Sequence, residues 1–444
     1  MKIWIKNPLG ILAKNSNGGL IVEDKKIVEL IPSGKNPSSK YDSIFDASNH
    51  VIIPGLINLH HHFYQTLTRG LPQAINKKLF AWLKTLYPIW ANLSPDSLRL
   101  ATRLALAELL LSGCTTTSDH HYIFPSGLEN AIDIQMEEAK NIGMRVILCR
   151  GSMDLSQKDG GLPPDSVVQS CDEIIEDSQR LINKYHNSNT GAMNQIALAP
   201  CSPFSVSERL MKESSVLSKK NNVLLHTHLA ESEDENSFCL EKIGCRPLEY
   251  LEQVGWLNER TWIAHGIHFT KEEIFKLGKA KIGVSHCPTS NMILASGICR
   301  VPEMEESGVK VGLGVDGSGS NDCSNLFNEI RIGFLLQRFH FGTKVSHLDA
   351  LRWATEGGAH VLKRTDIGRI SEGMQADLAL FKLDELRFSG NGDPLAALVI
   401  CGANKADRVM VAGKWVLVDN KIPNFDLEHL QNIHQREAQN FHRS

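Results

Sequence analysis

The 444-residue chain has no apolar run of the ~18 residues that a membrane-spanning helix needs, and no segment with a secretory pattern. Neither sign of charge dominates: the formal net charge is −3 with both signs interspersed, so nothing points to nucleic acid or a membrane surface as a partner. Ten cysteines include no Cys-x-x-Cys pair, and several, such as Cys149 and Cys287, fall inside strand-like runs, which fits reduced, buried thiols in the cytosol. Absent too are His-Glu-x-x-His, a Walker A loop, Gly-x-Ser-x-Gly and a Rossmann fingerprint at a strand-to-helix turn; Gly312-Leu313-Gly314 belongs to a strand. Zinc-dependent deaminases of the small cytidine type need Pro-Cys-x-x-Cys, and neither Pro200-Cys201-Ser202 nor Cys287-Pro288-Thr289 supplies the second cysteine. There is no low-complexity segment and no repeat beyond an alternation of strands and helices.

What the chain does have is three consecutive histidines at the end of an apolar segment, in Pro54-Gly55-Leu56-Ile57-Asn58-Leu59-His60-His61-His62. Side chains alternate along an extended chain, so His60 and His62 face one way and His61 the other. Two imidazoles on one face make half of a metal site, and a catalytic zinc takes about three protein ligands and keeps a position for water.

The other ligands belong at equivalent strand ends. Apolar, β-branched runs mark strands at 56–60, 115–119, 144–150, 194–199, 222–228, 261–265, 281–286 and 310–316. Helices fit between them: Ser94-Pro95-Asp96 reads as an N-cap with proline at the first position, opening an apolar run from Leu98 to Leu111 that stops at Gly113. Residues 165–185 and 321–341 read as further helices. Eight β-then-α units predict a (β/α)8 TIM barrel, an α/β fold whose active site lies at the C-terminal ends of its strands. His228 closes the fifth strand with Glu231 just beyond it, His265 closes the sixth, and Asp316 follows the eighth. Each has a bland structural reading alone, but together with His60 and His62 they converge on one face of a closed barrel.

These motifs resemble the amidohydrolase superfamily, and within it the cytosine and guanine deaminase-like branch, over nearly the whole chain. Its Pro-Gly-x-x-Asn-x-His-x-His is Pro54 to His62, its His-x-x-Glu is His228 to Glu231, and its last-strand aspartate is Asp316. Longer stretches are similar to the 8-oxoguanine deaminases of that branch: His60 to Arg69, Ser112 to His121, Leu162 to Gln169, Ala199 to Ser207, Ser290 to Gly297 and Asp377 to Pro394. Gly70 and Gly319 stand where alanine is expected in that group. The resemblance implies an aminohydrolase that converts 8-oxoguanine to urate and ammonia. Guanine, isocytosine, an adenosine derivative or a hydroxylated triazine are alternative substrates, and a noncatalytic scaffold is a third reading, disfavoured because buried charges are costly unless paired or used.

A metal on His60, His62, His228 and Asp316 would bring the pKa of a bound water toward about 7. One divalent ion per subunit is expected, zinc first, although iron or manganese suits the same donors. Glu231 is the candidate proton shuttle, protonating the ring nitrogen beside the amino-bearing carbon and then the leaving ammonia. Asp316 is expected to accept the proton of the attacking water and His265 to orient its oxygen; whether His265 or Asp316 is a tight ligand stays open. Gln65, whose amide can both donate and accept, Arg69, Trp82 and Tyr122 are the candidate substrate contacts, with Tyr87 and Trp90 as further aromatics on the same connection; Arg69 reads equally well as the partner of a structural carboxylate.

At this length the chain exceeds one barrel. Short strand-like runs at Ile3–Ile5, Gly19–Val22 and Ile27–Leu30 are matched by 378–381 and 409–416, so both ends are expected to share a small β-sandwich: residues 1–53 and 368–444 around a barrel of 54–367. Residues after about 421 read as a polar tail helix covering that sandwich. The long connection from Gln73 to Leu93 suggests a partner surface, and a homo-oligomer is a family expectation only.

Overall fold

The computed structural model describes residues 1–442. Eight parallel strands form one sheet in chain order: β1 (Leu56–Asn58), β2 (Cys114–His121), β3 (Arg145–Ser152), β4 (Asn194–Pro200), β5 (Leu224–Leu229), β6 (Thr261–His265), β7 (Gly283–His286) and β8 (Lys310–Leu313). Backbone bonds from Leu59 N–H to Leu313 O (2.9 Å) and from Asp316 N–H to His60 O (3.0 Å) join β8 to β1 and close the barrel. The (β/α)8 expectation holds. Regular pairing in β1 and β8 stops before His60 and Asp316, because the chain turns there to aim these side chains inward.

The expected helix starts near Ser94 as read: Ser94 Oγ accepts the Ser97 N–H, Pro95 occupies the first position, and the helix runs Pro95–Leu111. Gly113 ends it with φ +96, and a Cβ there would lie 2.8 Å from Phe381 Cζ, so glycine is required twice over. Two other helices begin later than expected. Residues 165–170 form a short turn before Cys171–Tyr185, because Ser170 and Glu173 cap each other. Residues 321–325 are held as a loop, with Asn325 capping Leu326–Phe341.

Both chain ends build two further sheets. One contains Lys2–Lys6, Gly19–Glu23, Lys26–Ile31 and Ser43–Asp46; the other contains Gly10–Ile11, His50–Pro54, Leu378–Lys382, Arg408–Val411 and Lys414–Leu417. Ile3, Ile5, Leu20 and Val22 of the first pack against Ile52, Leu378, Leu380 and Met410 of the second in one apolar core. The 409–416 run is a hairpin that reverses at Ala412 and Gly413, both at positive φ.

One expectation is corrected. The tail helix Leu427–Phe441 packs on Pro95–Leu111 and on the turn Phe63–Thr68 at the barrel mouth, where His434 bonds Thr66 Oγ1 (3.1 Å) and His442 Nε2 donates to Leu67 O (2.6 Å). The Gln73–Leu93 connection carries the helix Leu79–Trp90, whose Leu79, Trp82, Leu83 and Tyr87 face the cavity at the barrel mouth. Among the described residues no helix is long and apolar enough to cross a membrane.

Candidate active site

His60 and His62 leave β1 toward the barrel axis, while His61 turns away to bond Ser324 Oγ through Nε2 (2.8 Å). The proton positions on the converging rings follow from their partners, because a carbonyl oxygen can only accept. His62 Nδ1–H donates to His120 O (2.7 Å), and His228 Nδ1–H donates to Cys201 O (2.7 Å). His226 Nδ1–H donates to Trp262 O (3.0 Å), so its Nε2 is bare and accepts from His60 Nδ1–H (2.8 Å). The His226 ring is also stacked on Trp262, with centroids 4.2 Å apart and planes 10° from parallel. All three ligand candidates therefore present an Nε2 lone pair to one point.

Those lone pairs need a cation. His62 Nε2 and His228 Nε2 are 3.2 Å apart, and His60 Nε2 and His62 Nε2 each lie 3.3 Å from Asp316 Oδ1. Burial keeps all three imidazoles neutral, holding His228 down at about 3 and His60 well below the usual range. His60 Nε2 is buried and makes no hydrogen bond. Donors ~2.0–2.1 Å from a tetrahedral zinc sit about 3.3 Å from one another, so this set fits a divalent ion.

Two backbone features aim the remaining groups. His265 (φ 71) and Asp316 (φ 63) occupy the left-handed region, as does Ala230 (φ 54), just before Glu231. Each such residue costs about 1–2 kcal/mol, a strain that concentrates at functional sites. Glu235 supports the last of these by accepting the Ala230 and Glu231 N–H groups, each at 2.9 Å. His265 Nδ1–H donates to Asn291 Oδ1 (2.9 Å), which turns its Nε2 toward Glu231 Oε2 (3.6 Å) and Asp316 Oδ2 (3.8 Å). Burial works to lower the His265 pKa, but the two carboxylates outweigh it and the net shift is upward. Burial pushes Glu231 up to about 7, so this carboxyl can carry a proton at neutral pH. Ser290 Oγ–H donates to Asp316 Oδ2 at 2.6 Å.

Beside these groups lies a narrow cavity lined by Gln65, Trp82, Tyr87, Tyr122 and Phe204 among others. Gln65 Oε1 accepts the Gly319 N–H (3.2 Å), which leaves the amide NH2 as its donor end. Trp82 Nε1–H donates to Gly319 O (3.2 Å), and the Tyr122 ring meets His62 edge-on at 5.1 Å. Gly319 thus bridges two cavity residues, and a Cβ on it would come within 2.9 Å of Gln65 Oε1; Gly70 (φ +53) faces open space.

Arg69 does not line this cavity. Its guanidinium makes a two-pronged pair with Glu108 of the Pro95–Leu111 helix and reaches Ser318 Oγ (3.2 Å). Trp90 lies behind the cavity, donating to Thr68 Oγ1. Sequence reasoning missed His226, although its spacing of two from His228 on one strand was a usable signal. It also gave no role to Ser290, Asn291 and Phe204, although the stretches Ala199 to Ser207 and Ser290 to Gly297 contain them, because their contacts are with residues far away in the chain.

The barrel, the four converging donors and the buried acid beside them define a hydrolase-type metal site at a (β/α)8 mouth. The profile of the Amidohydrolase family matches residues 51–416, and the chain belongs to that family. It is 56% identical to the 8-oxoguanine deaminase of Pseudomonas aeruginosa over 98% of both chains. Among solved structures, it is similar to the atrazine chlorohydrolase of Arthrobacter aurescens complexed with zinc (TM-score 0.92, 28% identity, 98% of this chain and 100% of that one). It is also similar to an adenosine deaminase from Xanthomonas campestris with bound zinc (TM-score 0.87, 25% identity, 100% and 98%).

Proposed function

We propose that this chain is a zinc-dependent aminohydrolase that converts 8-oxoguanine to urate and ammonia, the ion being held by His60, His62, His228 and Asp316. The observation that carries the chemistry is the convergence of three Nε2 lone pairs and Asp316 Oδ1 beside a buried Glu231. The substrate follows from the likeness to the Pseudomonas aeruginosa deaminase. A divalent ion at such donors acts as a Lewis acid and lowers the pKa of a coordinated water toward about 7.

The chain's own residues then do the following. Glu231, protonated near neutrality, donates to the ring nitrogen beside the amino-bearing carbon, which makes that carbon electrophilic. Asp316 accepts the proton of the attacking water, with Ser290 on its other oxygen holding its orientation. His265, pinned by Asn291, orients the attacking oxygen from between the two carboxyls. The proton taken up by Asp316 is passed through Glu231 to the leaving nitrogen, the C–N bond breaks and ammonia departs, and the proton of the hydroxyl now on that carbon returns to Glu231 as the hydroxyl becomes the new carbonyl of urate. Gln65 offers its NH2 to an acceptor on the base, while Trp82 and Tyr122 wall the ring.

In this reading the barrel is residues 54–367 and the paired sheets come from 1–53 and 368–444. Cytosolic residence is part of it, supported by ten free thiols, most of them buried. A second substrate class, the amino-triazines, is favoured by the backbone likeness to triazine hydrolases (TM-score 0.93). The test is ammonia release from 8-oxoguanine, guanine, isocytosine and an aminotriazine by zinc-loaded protein. Preference for 8-oxoguanine supports the assignment; turnover confined to another ring moves the substrate and keeps the chemistry; no release from any of them refutes it.

A further inference from the structure

Behind the loops that follow β7 and β8 sits a carboxyl with no part in the chemistry described above. Glu329, in the first turn of the helix Leu326–Phe341, is completely buried. It forms no ion pair among the described residues and instead accepts three hydrogen bonds. Its Oε1 takes Thr289 Oγ1–H (2.6 Å) and Asn321 Nδ2–H (2.9 Å), and its Oε2 takes Thr289 N–H (3.1 Å). Burying a carboxyl is expensive unless its hydrogen bonds are met, so its presence here asks for a reason.

The reason is what lies next to its partners. Thr289 precedes Ser290, whose hydroxyl bonds Asp316 Oδ2 (2.6 Å) and Ser320 Oγ (2.8 Å). One residue further, Asn291 accepts from His265 Nδ1 (2.9 Å). Asn321 closes the loop that begins at Asp316. One carboxyl therefore ties the β7 loop to the β8 loop at the point where those loops orient Asp316 and His265.

We propose that Glu329 is a positioning residue of the site: its three hydrogen bonds lock the Thr289–Asn291 and Asp316–Asn321 segments together, setting the angle of Asp316 and the orientation of His265. A volume-filling role would need no carboxyl, and an apolar side chain would fill the same space. Three donors converging on one carboxyl cannot all be satisfied by an amide, since one of them would meet an NH2 group.

The inference rests on the proposed metal site, so its test includes a readout that needs no substrate. Glu329→Gln keeps the volume and removes one acceptor; Thr289→Val removes the hydroxyl donor alone. For each folded, zinc-loaded variant, the rate of zinc loss to a chelator and the separate kcat and KM are measured on whichever amino-heterocycle the unaltered protein turns over. For Glu329→Gln we expect zinc loss at least ~10-fold faster, kcat lower by about 10–100-fold and KM within about threefold, because the cavity residues Gln65, Trp82 and Tyr122 belong to other segments. Thr289→Val should move both readouts the same way by less, and it decides the matter if Glu329→Gln does not fold. Zinc loss and kcat both within twofold of the unaltered protein would overturn the proposal. Absence of turnover in the unaltered protein would count against the proposed reaction, while the chelator measurement would still judge Glu329.

Discussion

His226 Nε2 accepts the Nδ1–H of His60 at 2.8 Å, and this one bond decides which nitrogen of His60 faces the metal position. His226 can accept only because its own Nδ1 proton is spent on Trp262 O. The prediction is that His226→Phe leaves the His60 Nδ1–H buried without a partner and weakens zinc binding by about 10–100-fold, as loss of a partner behind a ligand does elsewhere. Competition with a chromogenic chelator checks it; unchanged affinity would show that His60 needs no such partner.

Much of this site was legible in the sequence, and the boundary has a physical basis. Period-two alternation carried His60 and His62 to one side of their strand, and the rule that barrel sites lie at strand C-termini carried His228, Glu231, His265 and Asp316 to the same mouth. The proton positions were not legible, because they depend on the carbonyls of His120, Cys201 and Trp262, which no side-chain pattern reveals. The partner of Arg69 was not legible for a related reason: Glu108 lies 39 residues away on a helix, and a lone arginine near a metal motif does not announce which carboxylate it serves. The tail helix was misplaced likewise, since a polar helical pattern does not show which surface the helix covers.

Glu231 gives the pH dependence. Burial raises it from an ordinary 4.5 to about 7, so it keeps its proton up to near neutrality and loses it above. As the proton donor it is competent below that value, and kcat should fall as pH rises through about 7. Glu231→Gln should cut kcat by about 10²–10⁴-fold while zinc per subunit stays the same. A pH–rate series and metal analysis of the variant check both points; loss of zinc in Glu231→Gln would contradict its assignment as a proton shuttle.

Gln65 and Arg69 are neighbours in the chain with opposite expected phenotypes. Gln65→Ala removes a donor from the cavity wall and should raise KM for the base by about 10-fold or more, with a small change in thermal stability. Arg69→Ala breaks a half-buried pair with Glu108 and should lower the melting temperature while leaving KM within about threefold. Steady-state kinetics beside thermal unfolding separate the two; a large KM effect at Arg69 with unchanged stability would return it to the substrate.

The most direct test of the account is to follow 8-oxoguanine, urate and ammonia together in one reaction with zinc-loaded protein, then with the same protein stripped by chelator, then after zinc is restored. The account predicts urate and ammonia in equal amounts, loss of both on stripping, and recovery on reloading. Turnover that survives removal of the metal, or ammonia without urate, would contradict it.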